Sequence, residues 1–399
     1  MKKDSKPNLL FVVHRVPYPP DRGDRIRSYH VLKFLASRAN VWLACLADEP
    51  LHPDCKTELQ SHCQDVRIEY LNPSRYIHGA WSLASGRTAT EGLFYSHRLM
   101  TGISNWCREI KFDAAIGFCS SVAPYLKIPQ LQNVPKLIDL VDVDSEKFAD
   151  YSTNSSGIKS ILYNLEAKRL RSLEISLGEQ CQGVTLVTEP EADIYRSFAP
   201  GAQVRAATNG IDLDFFDVEG SYAESKDPST CLFVGALNYP PNIDGIKWFC
   251  NQVWPTVIKE HSASQLLIVG RNPTPDVQAL GKLPGVQVFA NVPDVRPYYH
   301  QASVSIAPLH LARGLQNKVL EALAMKTAVL STPHAVEGIG LQTNQVMIAS
   351  EPSDWSRALI NFFRDHEQRN SFAEAGYQFV RDRHCWSNCL EPVAELLGI

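Results

Sequence analysis

Short apolar runs alternate along this chain with stretches of helical periodicity, and the alternation continues from end to end. Strand-like runs fall at Leu9–Val13, Val41–Ala47, Val66–Tyr70, Ala114–Gly117, Lys136–Leu140, Val184–Thr188 and Gln203–Ala206. The cycle restarts at Cys231–Gly235, Leu266–Gly270, Val286–Phe289, Val304–Ala307 and Ala328–Leu330. This rhythm predicts an α/β chain of parallel sheets covered by helices, because parallel neighbours need a long crossover between them. Helical spacing is clearest from Ser156 to Cys181, where Ile158, Ile161, Leu162, Leu165, Leu170 and Leu173 recur.

A chain of 399 residues holds about two domains at roughly 150 residues each. The boundary falls near Asn209-Gly210-Ile211-Asp212, because the polar stretch from Gly220 to Thr230 suits a surface connection into a new domain. Residues 1–208 and 209–378 then form two doubly wound domains facing across a cleft, and the helical tail 379–399 crosses back to the first. Ligands of such sheets bind at the carboxyl ends of the strands.

Charge and composition remove several classes. Asp and Glu number 43 against 39 Lys and Arg, a net charge of −4, so the basic footprint of a nucleic-acid partner is missing. The longest apolar runs fall far short of the roughly 20 residues of a membrane span. Met1 to Pro7 shows no signal-peptide core, so a cytoplasmic protein is expected. The ten cysteines include no C-x-x-C pair, and those in strand-like runs read as small hydrophobes. His52, Cys55, His62 and Cys63 have gaps that match no common zinc pattern, and a polar helix is the better reading.

Chemistry concentrates where strands end. The run Ser303 to Met325 takes a buried strand through Pro308 into a loop and then a helix opening near Gln316. Such a junction aims free backbone N–H groups and a positive helix end at an anion. Lys318 in the first turn opposes the helix dipole, a cost that an external anion compensates. Glu321, one turn on, can accept two ribose hydroxyls; the alternative is a solvent-facing Lys318–Glu321 pair. The loops Val234 to Asn242, which stops before a helix with two prolines, and Val269 to Pro273 leave two further strands through glycine, with Arg271 able to meet a phosphate. Three such junctions in one half favour nucleotide binding, and the absence of G-x-G-x-x-G disfavours an oxidoreductase.

In the first half, the loop His14 to Arg27 carries four arginines and Gly23, where backbone can approach a ligand closely. Asp142-x-Asp144 either holds a divalent ion or hydrogen-bonds sugar hydroxyls. The segment Tyr76 to Arg108 mixes aromatics with arginines; it forms either a surface resting on anionic lipid or an ordinary helical layer.

At these residues the sequence resembles a retaining glycosyltransferase of the GT-B fold, in the large family four. Asn209-Gly210-Ile211-Asp212 with Phe216 is similar to that family's N-G-V-D-x-x-x-F element, and Lys318 to Leu330 to its K-x-x-E-A-M-A-x-G-x-P-V-V segment. Pro19 to Arg25, Asp142 to Lys147 and Gly314 to Lys318 look like a narrower bacterial group, the sugar transferases of exosortase (PEP-CTERM) and exopolysaccharide gene clusters. The resemblance implies two Rossmann-like domains, the first on the acceptor side and the second binding a nucleotide-diphosphate sugar, UDP- or GDP-linked. It implies a glycan or polyprenyl-linked acceptor, peripheral contact with the inner membrane, and neither cofactor nor metal.

Residue by residue, the resemblance implies that Glu321 holds the ribose and that Lys318 and Arg271 hold the diphosphate. Gly314, Leu315, Gln316 and Asn317 would offer backbone N–H groups to the sugar, with Gly235 and Asn238 lining the nucleotide. Gly23 and Arg25 would approach the phosphates, and Asp142 or Asp144 the transferred sugar. Two positions depart from the family. Arg313 stands where a first glutamate is usual, eight residues before Glu321, and implies an altered donor contact. Lys326-Thr327-Ala328 replaces Gly-x-P and adds bulk beside the donor loop. A non-catalytic nucleotide-sugar-binding subunit and a sugar-nucleotide epimerase are the alternatives.

Overall fold

The computed structural model describes residues 6–216, 226–311 and 315–399. The chain divides into two compact units, one of residues 1–208 with 390–399 and the other of residues 209–389.

The first unit is built on seven parallel strands. These are β1 (Asn8–Val13), β2 (Asn40–Ala47), β3 (Asp65–Tyr70), β4 (Ala114–Phe118), β5 (Lys136–Val141), β6 (Gly183–Leu186) and β7 (Val204–Ala206), in the order β3-β2-β1-β4-β5-β6-β7. The order reverses between β1 and β4, so the crevice at their carboxyl ends is this sheet's natural ligand position. Leu9 to Val13 are all fully buried, as a central parallel strand covered on both faces requires.

The second unit repeats the plan with six parallel strands. They are β8 (Asp227–Val234), β9 (Gln265–Gly270), β10 (Val286–Ala290), β11 (Ala302–Ala307), β12 (Ala328–Ser331) and β13 (Met347–Ile348). Their order is β10-β9-β8-β11-β12-β13, with the switch between β8 and β11. The two-residue β13 is too short to carry a periodic signal and was not anticipated from the sequence. Each unit has its own apolar core.

One boundary differs from the sequence expectation. Residues 379–389 stay with the second unit: Ile211 bridges Cys385, and both ring nitrogens of His384 meet carbonyl oxygens, of Asn209 at 3.2 Å and Ile339 at 3.3 Å. Only 390–399 belongs with the first unit. Its helix Glu391–Leu397 is tied there by Arg38 to Glu391 at 2.6 Å and by Leu396, which fills the space a Cβ at Gly183 would take. The long helix Gly157–Gln180 buries Leu170 and Leu173 but leaves Ile158, Ile161, Leu162 and Leu165 exposed. The helical period there was real, whereas the expected core contact covers only the second half of the helix.

Candidate functional site

In the second unit, the segments leaving β8, β9 and β11 converge at the switch point. The loops after β8 and β9 touch backbone to backbone, since a Cβ on Gly270 would lie 1.7 Å from the Gly235 carbonyl oxygen. Leu237 N–H donates to the Arg271 carbonyl at 2.8 Å and locks the two loops together. Gly235 stands over the side chains of Asn242 and Lys318, which a Cβ there would meet at 2.9 and 3.2 Å. Glycine keeps this floor open.

The helix Asn317–Ala324 carries Lys318 and Glu321 toward that floor. Lys318 Nζ donates to Asn242 Oδ1 at 2.5 Å and lies 4.8 Å from the centre of the Phe233 ring. Among the described residues no carboxylate pairs with this amine, and burial pushes it down to about 7 against the pull of nearby Glu321. Burial raises Glu321, opposed by the Tyr299 hydroxyl 3.1 Å from its Oε2. That hydroxyl also lies 3.3 Å from the Lys318 carbonyl oxygen. The reading of a solvent-facing pair is therefore replaced. Both side chains are partly buried, and each is held by a neutral neighbour.

The helix ends in a Schellman motif. Thr327 N–H donates to Ala322 O at 2.9 Å and Lys326 N–H to Leu323 O at 3.1 Å, with Lys326 left-handed at φ 47°. Glycine is the usual residue there, which gives a physical reason for the Gly of the family pattern. Lys326 turns toward the helix His366–Arg383, pairing with Glu374 at 3.1 Å and lying over Tyr377.

Other sequence-derived positions fall as follows. Gln316 stands at the N-cap position of this helix without a side-chain capping bond, and Asn317 accepts from Asn209 Nδ2 at 3.2 Å, so the Asn-Gly-Ile-Asp element braces the helix start. Leu315 packs into the core, while Asn238 and Arg271 are exposed. Arg313 and Gly314 lie outside the described residues. Asn242 and Tyr299 were not singled out from the sequence. Asn242 directly follows a Pro-Pro pair as a plain helix residue, and only the fold brings Lys318 to it.

The first unit has its own cluster at the ends of β1, β4 and β5. Val141 is left-handed at φ 71° and Asp142 N–H donates to Leu140 O at 2.9 Å, a γ-turn rare for a β-branched residue. The turn leaves Asp142 partly buried, its Oδ1 without a hydrogen-bond partner among the described residues, and burial plus Glu191 push it up to about 6. Asp144 accepts from Ser120 Oγ at 2.8 Å and lies 3.9 Å from Lys147. Behind it, Ser145 donates through N–H and hydroxyl to Glu174, whose burial pushes it up to about 7. Among the described residues no group of three or more His, Cys, Asp or Glu side chains gathers as a metal site would require.

The arginines of this unit's loop are largely paired, with Asp21 and Asp24 of the loop and with Asp48, Glu49 and Asp139 beyond it. Arg15 binds Asp24 and Asp48 at 2.9 Å each, Arg25 is buried against Asp21 and Glu49, and Arg27 meets Asp139 at 2.9 Å. Burial opposes ionisation of Asp24, but hydrogen bonds from His14 and Arg15 outweigh it and hold the carboxyl far below its usual range. Gly23 opens the following helix, with space around the position its Cβ would take.

Comparison with known proteins fits this geometry. Residues 228–365 match the family model described as Glycosyl transferases group 1. The matched stretch lies wholly within the second unit. Over 391 residues the chain is 22% identical to an uncharacterized 44.6 kDa protein in the cps region of Klebsiella pneumoniae, covering 94% of this chain and 96% of that one. Among solved structures, sucrose-phosphate synthase from Thermosynechococcus elongatus superposes with a TM-score of 0.70 at 16% identity over 98% of both chains. Anabaena HepE, solved with UDP-glucose, superposes at 0.66 with 12% identity over 98% of this chain and 99% of that one. These likenesses show the fold, the two parallel-sheet Rossmann-like domains of the GT-B class. Among the described residues, no helix is long and apolar enough to cross a membrane.

Proposed function

We propose that the chain is a retaining glycosyltransferase that moves a sugar from a UDP- or GDP-linked donor to a glycan or polyprenyl-linked acceptor. Its setting would be surface polysaccharide synthesis at the membrane face, within the exosortase-associated sugar transferase group that its loop motifs resemble. The cps-region relative and the group 1 domain support the polysaccharide setting. The observation that carries the reading is Lys318: a partly buried amine, pushed down to about 7, with a neutral amide for a partner. A diphosphate at the end of β8 supplies the missing counter-charge. Glu321, with Oε2 held by Tyr299, keeps an oxygen for ribose hydroxyls. The first unit's cluster around Asp142 and Asp144 takes the acceptor side.

The chemistry follows from charge. The bond from the anomeric carbon to the diphosphate oxygen breaks while the acceptor oxygen bonds to that carbon on the same face. The acceptor proton passes to the leaving phosphate oxygen, so no separate base is required. Negative charge grows on the diphosphate, and the Lys318 ammonium together with the N–H groups opening its helix stabilises it where water is excluded. Calorimetric titration with UDP, GDP, ADP and TDP in EDTA, beside Glu321→Ala, tests the reading. Binding of one nucleotide that the variant loses is expected, and no binding of any would overturn it.

A further inference from the structure

The helix Arg75–Ala84 packs through Gly79 and Ser82, against the neighbouring Ala89–Leu93 helix and the Thr88 carbonyl, and turns its other side outward. That outward side carries Tyr76, Ile77 and Trp81, and the latter two are each 70% exposed. Singly exposed apolar residues are ordinary; three large ones on a ten-residue helix are not. The first two turns of the Gly157–Gln180 helix add Ile158, Ile161, Leu162 and Leu165, at the i, i+3, i+4, i+7 spacing of a single stripe, with Ile158 77% exposed.

The two helices are fastened together. Arg169 donates to the carbonyl oxygens of Leu83 and Arg87, and Glu166 accepts from the N–H groups of Ala89 at 2.7 Å and Thr90 at 2.9 Å. Leu165 adjoins this clamp, and the stripe runs outward from it for about 10 Å at 1.5 Å per residue. Within the two segments themselves the exposed charge has one sign. Over residues 74–90 and 156–169 the basic residues are Arg75, Arg87, Lys159, Lys168 and Arg169, and the only acidic one is Glu166, which is buried in the clamp.

We propose that these two helix faces form a surface that docks on an anionic lipid bilayer. Trp81 and Tyr76 suit the interface between headgroups and acyl chains, the isoleucines and leucines enter it, and the basic rim meets phosphate headgroups. Two copies docking through this same face would set basic rim against basic rim, since these segments offer no acidic partner on their surface. The helix His97–Glu109 takes the other part, packing Leu99, Ile103 and Trp106 inward. The inference rests on the proposed function for why a membrane lies near, and it concerns a surface away from the Lys318 site.

Flotation with vesicles tests it: phosphatidylcholine alone, and equal parts phosphatidylcholine and phosphatidylglycerol. The protein should float with the anionic vesicles only, and high salt should release it. Ile77→Ser/Trp81→Ser and Ile161→Ser/Leu162→Ser should each lower partitioning at least about tenfold with an unchanged circular dichroism spectrum. If either fails to fold, Arg75→Gln/Lys159→Gln carries the test through the charge alone. Wild type remaining free of both vesicles, or variants floating like wild type, overturns the proposal. So does a dimer in sedimentation that Ile161→Ser/Leu162→Ser abolishes without lipid binding. Nucleotide titration of the same preparations separates the two readings: lost nucleotide binding with intact flotation counts against the donor site alone.

Discussion

The Lys318 amine lies 2.5 Å from the Asn242 side-chain oxygen, and no carboxylate pairs with it among the described residues. A neutral amide orients the ammonium without neutralising it, so the desolvation cost stays uncompensated until an anion arrives. Lys318→Met should therefore weaken nucleotide binding about 10- to 100-fold, the worth of a charge-assisted contact. Folding stability should stay within about 1 kcal/mol or rise, because an unpaired charge is removed. Calorimetry and urea melts read the two effects separately, and a large loss of stability would contradict this account.

Two glycines at the same floor should respond in opposite ways. The nearest atoms to a Cβ on Gly235 belong to the side chains of Asn242 and Lys318, not to backbone. Gly235→Ala should leave the melt nearly unchanged and weaken nucleotide binding about tenfold by displacing the amine. A Cβ on Gly270 meets the backbone oxygen of Gly235 at 1.7 Å, and neither loop can yield without breaking their mutual lock. Gly270→Ala should cost about 3 kcal/mol or more of stability, read in the same melts.

Much of this was legible in the sequence because parallel sheets write themselves locally. Strands such as Leu9–Val13 are continuous apolar runs, and Lys318 and Glu321 sit in a spaced pattern at a strand–helix junction. What was not legible depends on tertiary approach. Asn242 and Tyr299 become site residues only when β8 and β11 pair, which local periodicity does not report. The γ-turn at Val141 has no sequence signature, since valine is a poor residue for φ 71°. The exposed half of the Gly157–Gln180 helix shows the converse: periodicity reveals an apolar stripe but not what covers it.

Nucleotide affinity should fall with rising pH. Free Lys318 titrates near 7, and a bound diphosphate raises that value by stabilising the charged form. Binding is then fully strong below about 7 and is lost as pH rises toward the bound value, with proton uptake in between. The fall should approach tenfold per pH unit. Titrations from pH 6.5 to about 9 in buffers of different ionisation enthalpy measure both slope and uptake, and Lys318→Met should show neither.

Glu174 makes the stability of the first unit pH-dependent in the opposite sense to ordinary acid denaturation. Burial raises its folded pKa from 4.5 to about 7, so folding takes up a proton between those values. Its contribution is fully present below about 4.5 and is lost as pH rises through 7, amounting to about 3 kcal/mol. Asp142, raised to about 6, adds a smaller change of the same sign. Glu174→Gln keeps a carbonyl oxygen for the Ser145 N–H and an amide for its hydroxyl, yet cannot ionise. Urea midpoints should match wild type at pH 5 and exceed it at about pH 8, leaving the shallower slope that Asp142 supplies. Equal midpoints at the higher pH would mean that water already solvates the Glu174 carboxylate in the folded chain.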